Sequence, residues 1–122
     1  MAKPDVITLT GLRAFGYHGV FDFERREGQE FIVDLVVGLD MRPAAHSDDV
    51  ADTVDYGALA TDVTAIVTGE PLNLIEALAE RIADAVLRHP LVQVVTVTVH
   101  KPSAPIPTEF GDVTVTLTRE RA

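Results

Sequence analysis

Cysteine and tryptophan are absent from the 122 residues, and lysine is nearly so: the ten basic residues are eight arginines and two lysines. Without cysteine, disulfides, thiolate nucleophiles and cysteine-ligated metals are excluded, which suits a reducing compartment. No stretch is long and apolar enough to span a membrane, and the first residues do not resemble a secretion signal. We therefore expect a cytoplasmic protein that makes no contact with membrane.

Positive charge is also scarce, because ten lysines and arginines face 19 aspartates and glutamates, a formal net charge of −9. Nucleic acids and anionic membranes bind basic surfaces, so neither is an expected partner. Small molecules and other protein chains remain. The hydrophobic share of 47% is typical of a packed globular protein. At this length we expect a single domain over residues 1–122.

Alternating apolar and polar residues predict four strands. The clearest is "FIVDLVVGLDM" (31–41), whose odd-numbered residues form one apolar face. Ile32 and Val36 make its second face partly apolar, which would require a subunit interface or an inner cavity to cover it. The other three strands are predicted over 6–15, around Val95, Val97 and Val99, and around Val113, Val115 and Leu117.

Two helices are predicted between the second and third strands. Asp55 would cap the first helix, which ends near Gly69 and Pro71, and Asn73 would open the second, which ends before Pro90. Their apolar stripes are Leu59, Val63, Ile66 and Val67, then Leu74, Leu78, Ile82 and Ala85 or Val86. The order ββααββ predicts an α+β fold with both helices on one face of a four-stranded antiparallel sheet. Four strands cannot close alone, so edges should pair between subunits.

Four side chains could carry chemistry, and each has a structural alternative. Lys101, in "HKPSAPIP", is either an acid–base group presented by a proline-stiffened loop or a surface lysine that ends an edge strand. Glu76 either binds a flat guanidine-like edge or forms a capping box with Asn73. Glu24 is a ligand or base, or a solvated loop residue. Tyr56 offers a phenol to a ligand or packs half-buried on the sheet.

Metal chemistry is not favoured by the sequence. The four histidines have neither the spacing of a zinc motif nor cysteine partners. The acidic segment "SDDVADTVD" lacks the central glycine and terminal glutamate of a calcium-binding EF-hand loop. We therefore expect no metal site and no cofactor.

The segments "GYHGVFDFERREGQ", "DTVDYGAL", "LNLIEALAERIA" and "HKPSAPIP", in this order and spacing, resemble the dihydroneopterin aldolase family over about residues 6–119. The resemblance implies a tunnelling fold, in which sheets of several subunits join into a barrel and two rings stack as a homo-octamer. It also implies 7,8-dihydroneopterin cleavage to 6-hydroxymethyl-7,8-dihydropterin and glycolaldehyde, a step of folate synthesis. The chain departs from the family pattern at Thr108, where glycine is common.

The resemblance assigns roles residue by residue. Lys101 resembles the catalytic lysine and Glu24 the glutamate near the substrate side chain. Glu76 resembles the carboxylate that anchors the pterin, with Ile75 supplying a backbone contact. Tyr56 resembles a catalytic tyrosine that enters the site from a neighbouring subunit, with Val54 beside it.

Two rival functions remain at this point. One is a 2′-epimerase acting on dihydroneopterin or its triphosphate with the same fold and lysine, and the aldolase itself is expected to epimerise to some extent. The other is a non-catalytic pterin-binding oligomer.

Overall fold

The computed structural model describes residues 4–122, and its two longer helices and four strands follow the predicted order. Three short helical segments were not predicted, because six residues or fewer carry too little apolar periodicity to be recognised. The elements are β1 Asp5–Gly16, α1 Asp22–Glu27, β2 Gln29–Leu39, α2 Arg42–Ser47, a 3₁₀ turn Val50–Asp52, α3 Tyr56–Val67, α4 Ile75–Leu87, β3 Val94–His100 and β4 Thr114–Glu120.

The four strands form one antiparallel sheet in the order β1-β2-β3-β4, and the predicted α+β class is confirmed. The odd-numbered residues of β2 from Phe31 to Leu39 are fully buried against the helices, as the alternation predicts. Met41 lies beyond the end of β2, but it is partly buried and packs against the same core. A bulge at Gly11, with φ of 73°, keeps the apolar residues of β1 on the same side.

Helix α3 begins where predicted, because the Asp55 carboxylate accepts hydrogen bonds from the backbone N–H of Gly57 (2.9 Å) and Ala58 (3.3 Å). Helix α4 begins later than predicted. Its N-cap is Leu74, whose backbone is extended and whose side chain is 51% exposed, so Leu74 does not belong to the apolar stripe. The start shifts because the Asn73 side chain is engaged elsewhere, by Arg25.

The sheet face opposite the helices is polar and tied by side-chain pairs. Hydroxyl groups of β3 and β4 meet across the strands at 2.9 Å in two Thr–Thr pairs. His100 lies between the carboxylates of Asp34 (2.6 Å) and Asp112 (2.7 Å), which together raise the pKa of its imidazole. The apolar Ile32 and Val36 on this face stay partly exposed in the isolated chain.

No helix within residues 4–122 is both long and apolar enough to cross a membrane.

His18 is a fully buried polar residue that joins two loops. The backbone N–H of Leu72 donates to its Nδ1 (3.0 Å), so Nε2 carries the proton and donates to the carbonyl of Val67 (2.7 Å). The backbone N–H of Gly19 also donates to the Leu72 carbonyl (2.9 Å). The loop after β1 is therefore fixed against the connection between α3 and α4.

Replacing His18 by phenylalanine should destabilise the fold by roughly 2 to 4 kcal/mol, because two buried backbone groups lose their partners. Burial lowers the pKa of His18 below 6.5, so protonation favours the unfolded chain. The contribution of His18 to the free energy of unfolding should be complete above pH 6.5 and decrease as the pH falls through the lowered pKa.

Urea unfolding of the wild type and His18→Phe from pH 5 to 8 tests this prediction. The difference in unfolding free energy should shrink towards acid pH, whereas a constant difference would contradict it. His100, whose pKa shifts in the opposite direction, is common to both proteins and cancels. The exposed His46 supplies a control substitution.

Candidate active site

A cavity of about 360 Å³ opens between α1, the start of α4 and the loop that joins β3 to β4. Four polar side chains line it: Glu24, Asn73, Glu76 and Lys101. Its remaining walls are mostly apolar, and include Val20, Phe21, Ile75, Ile106, Val113 and Val115. An apolar cleft with a few convergent polar groups is the usual form of a small-molecule site.

Lys101 and Glu24 form an ion pair at one end of this cavity. Lys101 Nζ lies 2.7 Å from Glu24 Oε2, and the two side chains are 13% and 2% exposed. The alternatives of a surface lysine and a solvated loop glutamate are therefore wrong. Burial acts to raise the pKa of Glu24, but hydrogen bonds, first of all from Lys101, outweigh it, and the net pKa is lowered. Glu24 is thus held as a carboxylate.

Glu24 is fixed by two further donors. The backbone N–H of Phe21, the N-cap of α1, donates to its Oε1 (3.2 Å), and Gln29 Nε2 donates to its Oε2 (3.0 Å). Glu24 therefore makes the contact of a capping-box glutamate that the sequence suggested for Glu76. Among the described residues, Gln29 Oε1 is buried without a hydrogen-bond partner. Gln29 was assigned no role from the sequence, although it is the last residue of the family-like segment "GYHGVFDFERREGQ".

Lys101 follows directly on β3, a central strand of the sheet. Its backbone N–H donates to the Val113 carbonyl (2.8 Å), which closes the base of the loop. Its carbonyl accepts from Ala104 N–H (3.1 Å), and prolines stiffen the rest. Thr108 has no positive φ, so the loop does not need the glycine that is common there. The lysine is therefore presented from a rigid base.

Glu76 lies in the first turn of α4 and is exposed towards the cavity. The capping-box interpretation is wrong, because no hydrogen bond within residues 4–122 engages its carboxylate. Ile75, beside it, is 8% exposed and lines the same cavity. The first backbone N–H groups of a helix lack intrahelical partners, so this end of the cavity offers donors next to a free carboxylate.

A family model described as "FolB: Dihydroneopterin aldolase" matches residues 7–118. A dihydroneopterin aldolase of Streptomyces coelicolor is 58% identical over 117 residues, which are 96% of this chain and 98% of that protein. The chain belongs to the dihydroneopterin aldolase family. The resemblance inferred from the motifs is confirmed, and so is the enzyme class, a lyase.

Two solved structures are similar over nearly the whole chain. The FolB protein of Vibrio cholerae has a TM-score of 0.90 at 30% identity, with 97% of this chain and 98% of that chain covered. The dihydroneopterin aldolase of E. coli, solved in complex with neopterin, has a TM-score of 0.86 at 31% identity, with 94% and 98% covered.

The structure brings four of the predicted site residues together and leaves two apart. Lys101, Glu24, Glu76 and Ile75 all line the cavity, whereas Tyr56 and Val54 do not. Tyr56 is 63% exposed at the start of α3, so the half-buried packing alternative is wrong. Val54 is buried beside it.

Within residues 4–122, no three histidine, aspartate or glutamate side chains are placed to hold a metal ion together.

Gly19 makes room for the Glu24 carboxylate. A Cβ built on Gly19 would collide with the carboxyl carbon and both oxygens of Glu24, and its φ of 155° disfavours L side chains. Its carbonyl also accepts from Arg25 Nε (2.9 Å). The position of the ion pair therefore depends on the absence of a side chain at residue 19.

Gly19→Ala should displace Glu24 from Lys101 and lower kcat by about 100-fold, since small misplacements of catalytic groups have effects of that order. Gly11→Ala is the matched control, because Gly11 also has a positive φ but nothing lies within 4 Å of its added Cβ. It should lose stability and keep its kcat. Equal kcat values for both variants would show that Gly19 matters only for backbone conformation.

Proposed function

We propose that this family member cleaves 7,8-dihydroneopterin by a retro-aldol reaction that needs no cofactor, as a cytoplasmic enzyme of folate synthesis. The observation that carries the proposal is the buried Lys101–Glu24 pair at 2.7 Å in the same cavity as the unengaged carboxylate of Glu76. The Glu76 end of the cavity can anchor a heterocycle, and the Lys101–Glu24 end can transfer protons. The neopterin bound to the E. coli relative supports a pterin as the ligand.

Binding would begin at Glu76. A carboxylate accepts two parallel N–H bonds from the planar amino and ring N–H edge of a pterin, as it does from a guanidinium. The free backbone N–H groups of the first turn, including that of Ile75, can add a contact from the same direction. A pterin anchored in this way extends along the apolar walls and presents its hydroxylated side chain to Lys101 and Glu24.

The bond-breaking step needs a base and an electron sink. Lys101, in its amine form and acting through a bound water, takes the proton of the 2′-hydroxyl, and the C1′–C2′ bond then breaks to release glycolaldehyde. The electron pair of that bond moves into the conjugated C6=N5 imine and leaves an enol-like intermediate. Lysine suits this role because it can alternate between amine and ammonium, which arginine cannot do.

The second step is protonation of the intermediate at C1′, which yields the 6-hydroxymethyl product. Glu24, fixed by three donors, holds the Lys101 ammonium and the substrate hydroxyls in place. Tyr56 serves in this proton transfer, in which the proton taken by Lys101 is returned to C1′ and the amine is regenerated. Re-addition of glycolaldehyde to the intermediate in the other orientation gives the 2′-epimer, so a 2′-epimerase activity accompanies cleavage.

Tyr56 acts from a neighbouring subunit, with Val54 beside it. Its exposed phenol lies outside its own chain's cavity, and the outer edges of β1 and β4 are unpaired among the described residues. These features support a homo-oligomer, of the octameric tunnelling-fold type, in which edges join and each site takes residues from two subunits.

Lys101→Met should abolish cleavage and leave pterin binding within a few-fold of wild type, because methionine keeps the volume and removes the proton carrier. Chelator-treated protein is incubated with 7,8-dihydroneopterin, products are separated by chromatography, and binding of 6-hydroxymethylpterin is followed by fluorescence. Hydroxymethyl-dihydropterin and glycolaldehyde should form with wild type alone. Epimer as the sole product would favour an epimerase, and bound but unchanged substrate a non-catalytic binder.

Shared sites predict complementation between inactive variants. Lys101→Met and Tyr56→Phe subunits, unfolded together and reassembled, should regain cleavage, because some sites then combine a wild-type lysine with a wild-type tyrosine. Each variant reassembled alone is the control. The presence of mixed oligomers is verified by mass. If their activity is no greater than the sum of the two controls, both residues belong to the site of one subunit.

A further inference from the structure

Side-chain N–H donors are rare in the cavity. Of its lining residues only Lys101 and Asn73 carry one, and Lys101 is engaged by Glu24. A pterin has acceptors as well as donors, and Glu76 can satisfy only the donors. Among the described residues that line the cavity of this chain, the Asn73 amide is therefore the one uncharged side-chain N–H donor.

The orientation of the Asn73 amide is set by Arg25. A guanidinium has only donors, so the amide atom that meets Arg25 must be the oxygen, Oδ1, and the NH₂ group remains available. Arg25 is itself held, because its Nε donates to the carbonyl of Gly19 at 2.9 Å. The amide thus has one defined orientation rather than two interchangeable ones.

Asn73 is also connected to both polar ends of the site. It stands three residues before Glu76 and is tied by Arg25 to α1, the helix that carries Glu24. In a pterin, the carbonyl O4 and the imine N5 share the edge between the donor groups and the carbon that bears the side chain. A ring anchored at Glu76 with its side chain at Lys101 would turn this acceptor edge towards the same region.

We infer that Asn73 is a substrate-binding residue that donates to the acceptor edge of the pterin, and that Arg25 is the residue that positions its amide. The inference rests on the function proposed above. The hydrogen bond from Asn73 should also affect the rate of cleavage, because N5 gains electron density when the C1′–C2′ bond breaks. A donor aimed at this edge becomes a stronger partner in the transition state than in the ground state.

Two substitutions of Asn73 separate a ligand donor from a structural tether. Asn73→Asp keeps an oxygen for Arg25 but has no donor, and Asn73→Leu has a similar volume with neither. If Asn73 donates to the ligand, both variants should weaken 6-hydroxymethylpterin binding about 10-fold, the effect of one hydrogen bond. Both should lower kcat for 7,8-dihydroneopterin by at least as much.

Other outcomes overturn the inference. If Asn73→Asp behaved as wild type while Asn73→Leu was impaired, the residue would be only a tether for Arg25. An impaired Asn73→Asp beside an unaffected Asn73→Leu would indicate repulsion by added charge. Wild-type behaviour of both, in an enzyme that cleaves dihydroneopterin, would exclude any role, whereas a wild type without turnover would instead refute the proposed function. Thermal melting confirms that each variant is folded.

The positioning role of Arg25 is tested by a double-mutant cycle. Arg25→Leu frees the Asn73 amide to rotate and should weaken pterin binding about three-fold, which is less than the loss of the donor itself. Arg25→Lys still donates to Oδ1 and should largely restore pterin binding. In the Asn73→Leu background, Arg25→Leu should have no additional effect on binding. Additive effects would mean that Arg25 acts on the site by another route.

Discussion

The ion pair between Lys101 and Glu24 is the constraint on which the local structure depends. Two charges removed from water destabilise a fold unless further hydrogen bonds compensate for the lost solvation. Here Gln29 and the backbone N–H of Phe21 supply them, and Gly19 leaves the space that the carboxylate occupies. Helix α1, only six residues long, has little stability of its own. Its glutamate side chain caps it, so the proposed catalytic group and the structural cap are the same residue.

A second set of contacts fixes the two ends of the cavity relative to one another. His18 joins the loop after β1 to both sides of the α3–α4 connection, and Arg25 joins α1 to Asn73. These contacts link segments that are about fifty residues apart in sequence. A ligand that spans from Glu76 to Lys101 needs this distance to be constant, because proton transfer tolerates little displacement. These polar contacts outside the ion pair thus serve the same geometry.

The sequence predicted the parts of the fold that depend on local pattern. The alternation in β2, the Asp55 cap and the apolar face of α3 need only neighbouring residues, and the structure has them. The start of α4 was wrong because Arg25, 48 residues away, engages the predicted cap Asn73. The extent of the domain, 1–122, stays a prediction.

Prediction of the site had a different limit. Residue chemistry alone left Lys101, Glu24, Glu76 and Tyr56 each with two interpretations, and the family motifs were what favoured the catalytic one. Burial distinguishes the alternatives for Glu24 and Lys101, and burial arises from three segments that meet only in the folded chain. No periodic pattern in the sequence predicts that these three segments come into contact. Gln29 was missed for the same reason, since its importance lies in a contact and not in its residue type.

The single chain leaves surfaces without partners that bear on the proposed chemistry. Its helices cover one sheet face, and the other carries threonine pairs and the His100 cluster. Within residues 4–122, both outer edges of the sheet keep unpaired backbone groups. Long exposed edges invite pairing, and a ring of identical subunits satisfies every edge at once. The cavity likewise has an open side, and its polar groups become effective for proton transfer only when water is largely excluded. A neighbouring subunit that presents Tyr56 at that opening would close the sheet edge and the reaction chamber through the same association.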